Sequence, residues 1–138
     1  MRIENCISFL LGKAGQQVAR RFRERLAAFG VTPPQYAILS VLWDCDGQSG
    51  AELGARLVLD SATVTGLIDR LEVSGLAERR ADGTDRRVNR VFLTAPGRAL
   101  KRPMNKAIQM LNHEIAAELG QRAPVMWDAL RQLGALHS

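Results

Sequence analysis

The chain has 138 residues, of which 46% are hydrophobic and 5% aromatic, with two cysteines and a formal net charge of +5. This length suffices for one domain with its own core, and the basic charge suits a polyanionic partner such as nucleic acid. A basic protein without such a partner would have the same balance. No apolar run approaches the ~20 residues of a membrane span, and two cysteines give no disulfide framework. We therefore expect a cytoplasmic protein with no membrane partner.

The first part of the chain contains two helical patterns. Apolar side chains recur at helical spacing over residues 3 to 28, which predicts one long amphipathic helix capped near Gly30. Thr32 and Gln35 have the spacing of a capping box, and Pro33 would occupy the first position of the second helix. The apolar residues of this second helix lie almost all round it, so we expect it at the centre of the fold.

Residues 49 to 72 predict a helix-turn-helix. Ser49 and Glu52 have the spacing of a second capping box, and residues 58 to 60 form a tight turn before the next helix. The next helix has four apolar residues that would face a core, namely Val64, Leu67, Ile68 and Leu71. Its opposite face carries small and polar residues, namely Ala62, Thr65, Gly66 and Asp69, with Thr63 and Arg70 on one flank. Such a face could enter a groove, although an ordinary surface helix would also be polar there.

A β-hairpin is predicted directly after this helix. Residues 76 to 80 and 88 to 93 are the expected strands, and the Asp82-Gly83 pair marks the turn between them. Val91 and Leu93 alternate with Arg90 and Phe92, which predicts one buried and one wet face. Five arginines surround the hairpin tip: Arg79, Arg80, Arg86, Arg87 and Arg90. They form either a plain solvated surface or a cationic surface for DNA.

The last part of the chain again predicts long helices. Thr94 would cap an apolar-striped helix that continues to about Leu119, with a kink at Pro103, and a final helix spans residues 124 to 136. Apolar-striped helices therefore stand at both ends of the chain. Such helices need a partner surface, which is either a second subunit or the other terminal helices of the same chain.

The hairpin and the helix before it resemble one known family. The segment Asp85 to Gly97 fits the Asp-x-Arg-x-x-x-Val-x-Leu-Thr-x-x-Gly wing pattern of the multiple antibiotic resistance regulator (MarR) family, and residues 59 to 72 look like that family's recognition helix. The resemblance covers nearly the whole chain. It implies a mainly α fold with a small β wing, in which residues 1–138 form a single winged helix-turn-helix domain. Residues 32–97 would be the DNA-binding lobe, and residues 1–30 and 98–138 the dimerisation helices.

The resemblance also implies a function. The chain would be a sequence-specific transcriptional regulator, namely a homodimeric repressor on a pseudo-palindromic operator of double-stranded DNA. A small anionic or aromatic effector would bind between the dimer helices and the lobe and relieve repression. The candidate DNA-binding residues are Ser61, Ala62, Thr63, Thr65, Gly66, Asp69, Arg70, Arg79, Arg80, Asp85, Arg86, Arg87 and Arg90.

Individual roles follow from side-chain chemistry and from the family pattern. Thr65 can contact a base edge or a thymine methyl group, Asp69 can accept from cytosine, and Arg70 can reach a phosphate or a guanine. The family places the arginine of its Asp-x-Arg pair in the minor groove. That arginine is Arg87 here, and Asp85 would hold it through an ion pair.

Two alternatives keep the DNA-binding fold. One is a thiol-based redox regulator, because residues 3 to 9 resemble the N-terminal segment of a hydroperoxide-sensing branch of the family. In that branch the reactive cysteine precedes the phenylalanine, whereas this chain has Ser8 there and Cys6 two positions earlier. Cys45 lies between Asp44 and Asp46, which disfavour its thiolate. The other alternative is a nonspecific architectural DNA-binding protein.

Enzymatic and metal-dependent functions find no support in the sequence. No Gly-rich phosphate loop, nucleophile elbow or catalytic carboxylate pair stands out. His113 and His137 are far apart and lack clustered Cys or His partners, whereas a zinc site needs three or four ligands. We therefore expect no enzyme, no cofactor and no metal.

Overall fold

The computed structural model describes residues 1–136, so His137 lies outside the described part of the chain. The elements in chain order are α1 (Ile7–Ala27), α2 (Pro33–Asp44), β1 (Gln48–Ser49), α3 (Gly50–Leu57), α4 (Ser61–Val73), β2 (Ala77–Ala81), β3 (Asn89–Leu93), α5 (Ala95–Ala99), α6 (Lys101–Leu119) and α7 (Ala123–Gly134). Short 3-10 turns over Ile3–Asn5 and Gly120–Arg122 precede α1 and α7. The predicted mainly α fold with a small β wing is confirmed.

Helix α2 lies at the centre of the core, as its apolar circumference predicts. It packs against α1, α3, α4 and β3, and it buries Ile38, Leu39, Val41 and Leu42. The Thr32–Gln35 capping box is present in both directions: the Thr32 N–H donates to Gln35 Oε1 at 3.0 Å, and the Gln35 N–H donates to Thr32 Oγ1 at 3.4 Å. These two bonds satisfy backbone donors that the first turn of a helix leaves unpaired.

Helices α3 and α4 form the predicted helix-turn-helix. Helix α4 buries Val64, Leu67, Ile68 and Leu71 against the core, as its spacing predicts. At the turn, Val58 adopts a left-handed conformation with φ 55°, which is rare for a β-branched residue. Gly54 faces the same turn, where a Cβ would lie 2.9 Å from the Leu59 carbonyl oxygen. The absence of a side chain at Gly54 thus lets the backbone of the turn pack directly against α3.

The wing is a three-stranded antiparallel sheet in the order β1–β3–β2. Its register pairs Val91 with Gln48 on one side and with Arg79 on the other. Val91 and Leu93 are buried, which confirms the predicted alternation. At Gly97, in α5, a Cβ would lie 2.0 Å from the Leu76 carbonyl oxygen. The glycine of the wing motif is therefore needed where α5 crosses the start of the hairpin.

Three details differ from the sequence expectation. The two-residue strand β1 was not predicted, because two residues are too few to show alternation and depend on the edge of β3. The first helix begins at Ile7, since Cys6 is extended and separates it from the preceding 3-10 turn. The interruption expected at Pro103 lies at Leu100, between α5 and α6. Pro103 lacks the N–H that would donate to the carbonyl of Ala99, so the continuous helical ladder fails one turn earlier.

The terminal helices leave apolar side chains exposed. Helix α1 packs against α6, and α6 packs against α7. A row of large apolar residues nevertheless stays at the surface: Ile3, Ile7, Phe9, Leu10, Leu11, Val18, Met110, Val125, Met126, Leu130, Leu133 and Leu136. Packing within one chain therefore does not cover the apolar stripes. Among residues 1–136, no helix is both long and apolar enough to cross a membrane.

Candidate nucleic-acid interface

The outer face of α4 is small, polar and accessible. Ser61, Ala62, Thr63, Thr65, Asp69 and Arg70 are exposed there, and Gly66 is half-buried between them. The helix begins at Asp60, whose Oδ1 accepts the Thr63 N–H at 2.7 Å. Hydrogen bonding from Thr63 lowers the pKa of Asp60 below its ordinary value. The predicted recognition helix is thus anchored on its apolar side and free on the other.

Arg79 joins β2 to α4 instead of projecting into solvent. Its guanidinium lies 2.7 Å from Asp69 Oδ1, pairs with Glu72, and donates to the Thr65 carbonyl oxygen at 3.3 Å. Only 24% of its side chain is exposed. DNA contact by Arg79 and Asp69 stays a prediction, but the geometry gives both a role in fixing α4 against the wing. Sequence reasoning missed Glu72, which periodicity places on the helix edge beside β2.

Arg80 is held flat on the wing. It pairs with Glu78, and its guanidinium carbon stacks 4.5 Å from the centroid of the Phe92 ring. The sheet register places Arg80 directly opposite Arg90, and like charges in that position are destabilising unless acids neutralise them. Glu78 neutralises Arg80, and Asp82 neutralises Arg90. These two ion pairs could have been predicted from the sequence, because two arginines that face each other in a hairpin require nearby carboxylates.

The wing tip contains the predicted Asp85–Arg87 ion pair. Arg87 Nε lies 3.1 Å from Asp85 Oδ1, its terminal nitrogen lies 3.3 Å from Oδ2, and its backbone N–H donates to Oδ1 at 3.0 Å. These bonds from Arg87 lower the pKa of Asp85. The Arg87 side chain is 91% exposed, so it is oriented by Asp85 yet free to bind. Contact with a minor groove stays a prediction.

Arg90 is tied inward to several groups. Its Nε lies 2.7 Å from Asp82 Oδ1, and its terminal nitrogen lies 3.1 Å from the Gly47 carbonyl oxygen and 3.4 Å from Glu52 Oε1. The bond from Arg90 holds the pKa of Asp82 well below its usual range. Ser49 accepts the Glu52 N–H, but the Glu52 side chain pairs with Arg90, so only half of the expected second capping box forms.

The candidate arginines thus fall into two groups. Arg79, Arg80 and Arg90 pair with carboxylates and are 24%, 57% and 35% exposed, whereas Arg87 pairs with Asp85 but is 91% exposed. Arg70 and Arg86 are exposed and make no ion pair among residues 1–136. The same part of the chain contains no group of three or more Asp, Glu, His or Cys residues arranged to hold a metal ion.

Comparison with known proteins identifies the family. The MarR family model matches residues 31–88. The chain is 42% identical over 103 residues to the transcriptional regulator TtmR of Methylorubrum extorquens. This match covers 75% of the chain but only about half (53%) of TtmR. It is 33% identical over 101 residues to the organic hydroperoxide resistance transcriptional regulator of Bacillus subtilis, covering 73% of this chain and 69% of that protein.

A solved structure extends the likeness to both ends of the chain. The structure of Bordetella bronchiseptica BpsR, whose DNA binding is regulated by 6-hydroxynicotinic acid, superposes with a TM-score of 0.90 at 26% identity. The match covers 99% of each chain, so it includes the terminal helices as well as the lobe. The winged helix, the wing motif and these similarities agree that the chain belongs to the MarR family of transcriptional regulators.

Proposed function

We propose that this regulator is a homodimeric repressor that reads a pseudo-palindromic operator through α4 and the wing. The observation that carries the proposal is the exposed polar face of α4 together with three accessible cations, Arg70, Arg86 and Arg87. Small residues on α4 permit close approach to a major groove, where Thr65 can read a base edge or a thymine methyl group. Arg70 and Arg86 reach phosphates, and Arg87 enters the minor groove.

The tied arginines support this interface without supplying its main contacts. Arg79 holds the Asp69 carboxylate and the α4 backbone in place, so the reading face keeps a fixed angle to the wing. A fixed angle lowers the conformational entropy lost when DNA binds. The wing and α4 therefore act as one pre-organised reader.

The terminal helices form the contact with the second subunit. Large apolar side chains on α1 and α7 stay exposed in the single chain, and an extended exposed apolar surface marks a protein interface. A two-fold axis through these helices places two copies of α4 about one helical turn of DNA apart, ~34 Å, which requires two half-sites.

A small anionic or aromatic effector would bind between the terminal helices and the lobe. The support comes from BpsR, in which an aromatic carboxylate regulates DNA binding, and from the direct route from wing to dimer helix. That route runs from β3 through Thr94 and α5 into α6. An effector that changes the spacing of the two α4 helices would typically weaken operator binding by 1–3 kcal/mol.

The test begins with operator selection from random-sequence duplexes by the full-length protein. Affinity is then measured for the selected duplex and for a scrambled duplex of equal composition, at several salt concentrations. We expect the selected duplex to bind ~10³-fold or more tightly, as specific regulators do. Equal affinities would instead identify a nonspecific architectural protein.

The redox alternative has a direct test of its own. Mild peroxide treatment before the binding measurement should leave operator affinity unchanged under the effector proposal. A loss of binding on peroxide that Cys6→Ser abolishes would favour thiol sensing, which the likeness to a hydroperoxide resistance regulator brings into consideration.

A further inference from the structure

We propose that Arg90 is a positioning residue that joins the wing tip to helix α3 and thereby sets the direction of Arg87 toward DNA. The inference rests on the proposed function, and it changes the role of Arg90 from a DNA contact to an internal bracket. The bracket is the chain of contacts through Glu52, Arg90, Asp82, Asp85 and Arg87.

Each contact of the bracket is within hydrogen-bond distance. Arg90 bonds Glu52 of α3 at 3.4 Å and the Gly47 carbonyl oxygen at 3.1 Å on one side, and Asp82 at 2.7 Å on the other. Asp82 Oδ2 in turn accepts the Asp85 N–H at 3.1 Å and the Thr84 hydroxyl at 2.8 Å. Asp85 then fixes Arg87 through its backbone and side-chain bonds.

The sheet explains why the tip needs such a bracket. Strand β1 supports the hairpin only at Val91 and Arg90, and the last β2–β3 pair is Ala81 with Asn89. Beyond Arg90 the hairpin is therefore two-stranded, and a two-stranded hairpin is marginal in water. The Arg90 side chain extends from the last residue that β1 supports to Asp82 in the turn. Through its bonds to Glu52 and Asp82, it thus connects α3 to the part of the hairpin that lies beyond the three-stranded sheet.

The bonds of Arg90 also oppose a direct DNA role. Its Nε and one terminal nitrogen are already engaged by three partners, and only 35% of the side chain is exposed. Moving this guanidinium to a phosphate would leave Asp82 with an unpaired charge in the turn beside DNA. The geometry therefore favours an inward Arg90 and an outward Arg87.

The test uses two selected operators that differ only in their flanks, one A·T-rich and one G·C-rich. The wild-type protein should prefer the A·T flank, because a narrow minor groove attracts Arg87. Arg90→Lys keeps the positive charge, but a single ammonium group cannot span Asp82 and the Gly47 carbonyl oxygen as the guanidinium does. Asp82→Asn removes the carboxylate that pairs with Arg90. It also makes the protein more cationic, so a loss of affinity could not be due to net charge. We expect both variants to lose about tenfold in affinity on the A·T flank only, within the range of one lost base-pair contact.

Arg86→Gln serves as the matched control, because it removes an unpaired cation from the same turn. It should weaken binding equally on both flanks. A double variant, Arg87→Ala with Arg90→Lys, should lose no more flank preference than Arg87→Ala alone, since both changes act through the same side chain. Thermal unfolding of each variant confirms that the lobe is folded.

Three results would overturn the inference. Retained flank preference in Arg90→Lys would mean that charge at this position suffices. Fully additive losses in the double variant would mean that Arg90 acts independently of Arg87. A wild-type protein that binds its operator specifically but ignores the flanks would remove the role of Arg87, and with it the bracket, while leaving the proposed repressor function intact.

Discussion

The winged-helix lobe and the terminal helices differ in how far their large apolar side chains are buried. In the lobe, Leu53 and Leu71 are 0% exposed, and apart from Ala62 and the terminal Val73 the side chains left at the surface of α4 are polar or charged. In the terminal helices, Ile7 is 65% exposed and Val125 is 69% exposed. The lobe thus finishes its hydrophobic core within one chain, whereas the terminal helices do not.

This difference separates the two tasks of the regulator. A lobe with a complete core can hold α4 and the wing at fixed angles, which reading DNA requires. Helices with an exposed apolar face gain stability when they bury that face against another surface. Stability of the ends should therefore depend on protein concentration, whereas packing within the lobe should not.

The largest effect is expected from a charge in the terminal apolar surface. Leu130→Glu would place an unpaired carboxylate in the proposed subunit interface, where burial of an unpaired charge is strongly unfavourable. We expect the variant to sediment as a monomer at micromolar concentration and to lose operator binding by about two orders of magnitude. Ala135→Glu adds the same charge at the exposed C-cap of α7, on the side that carries Arg131 and is turned away from the apolar row, so it should remain dimeric. A dimeric Leu130→Glu protein would show that α7 does not form the interface.

A cavity in the lobe is expected to have the next largest effect. Leu71→Ala removes a fully buried side chain of α4, so it should lower the free energy of unfolding by ~2–5 kcal/mol. Val73 lies on the same helix but is 90% exposed, and Val73→Ala should change stability by less than ~0.5 kcal/mol. Chemical denaturation of both variants at one protein concentration measures the difference. Equal effects would mean that α4 is not packed as described.

Substitutions of two wing arginines should change the salt dependence of operator binding by different amounts. Arg87→Ala should weaken operator binding and make the slope of log affinity against log salt shallower by up to ~2 units for a dimer with two wings. Arg80→Ala should change the slope less, because the Arg80 guanidinium is stacked on the Phe92 ring and is less exposed than that of Arg87. Salt titrations of the two variants provide the comparison. A larger slope change for Arg80→Ala would reverse the assignment of accessible and tied arginines.

Asp85→Ala separates orientation from charge. Removing a negative charge near DNA should strengthen binding to scrambled duplexes, but it should still weaken operator binding because Arg87 loses its bidentate partner. The measurement is affinity for both duplexes over a salt series. Stronger operator binding would show that Asp85 is merely a surface charge.

The smallest effect is expected in the stability of the lobe at acidic pH. Hydrogen bonds lower the pKa values of Asp60, Asp82 and Asp85 below the ordinary 3.8. A lowered carboxyl pKa adds stability above the unfolded value and loses it as pH falls through the folded value. The lobe should therefore unfold with the same free energy from pH ~7 to ~5 and weaken only below ~4. Asp82→Asn should make the acid limb less steep, and an unchanged limb would exclude Asp82 as a contributor.

Much of the fold was predictable because it depends on local rules. The Thr32–Gln35 cap, the buried face of α4 and the alternation at Val91 and Leu93 all follow from spacing along the chain. The Asp85–Arg87 ion pair was implied by the family pattern and is also local, since its partners are two positions apart in the sequence.

The unpredicted features depend on contacts between distant segments. Strand β1 exists because β3 offers an edge, and Arg90 reaches Glu52 from the other end of the lobe. Arg79 looked like a free cation because sequence spacing does not reveal that β2 runs beside Asp69 and Glu72. Sequence therefore located the candidate interface but could not divide its arginines into supporting and accessible groups.

Stoichiometry on the operator tests the central claim most directly. Fluorescently labelled duplexes with two half-sites ~34 Å apart, or with one half-site scrambled, are sedimented with the full-length protein. We expect two chains on each intact duplex and a loss of at least about tenfold in affinity when one half-site is scrambled. One chain bound per duplex, with equal affinity for both duplexes, would contradict a dimeric regulator.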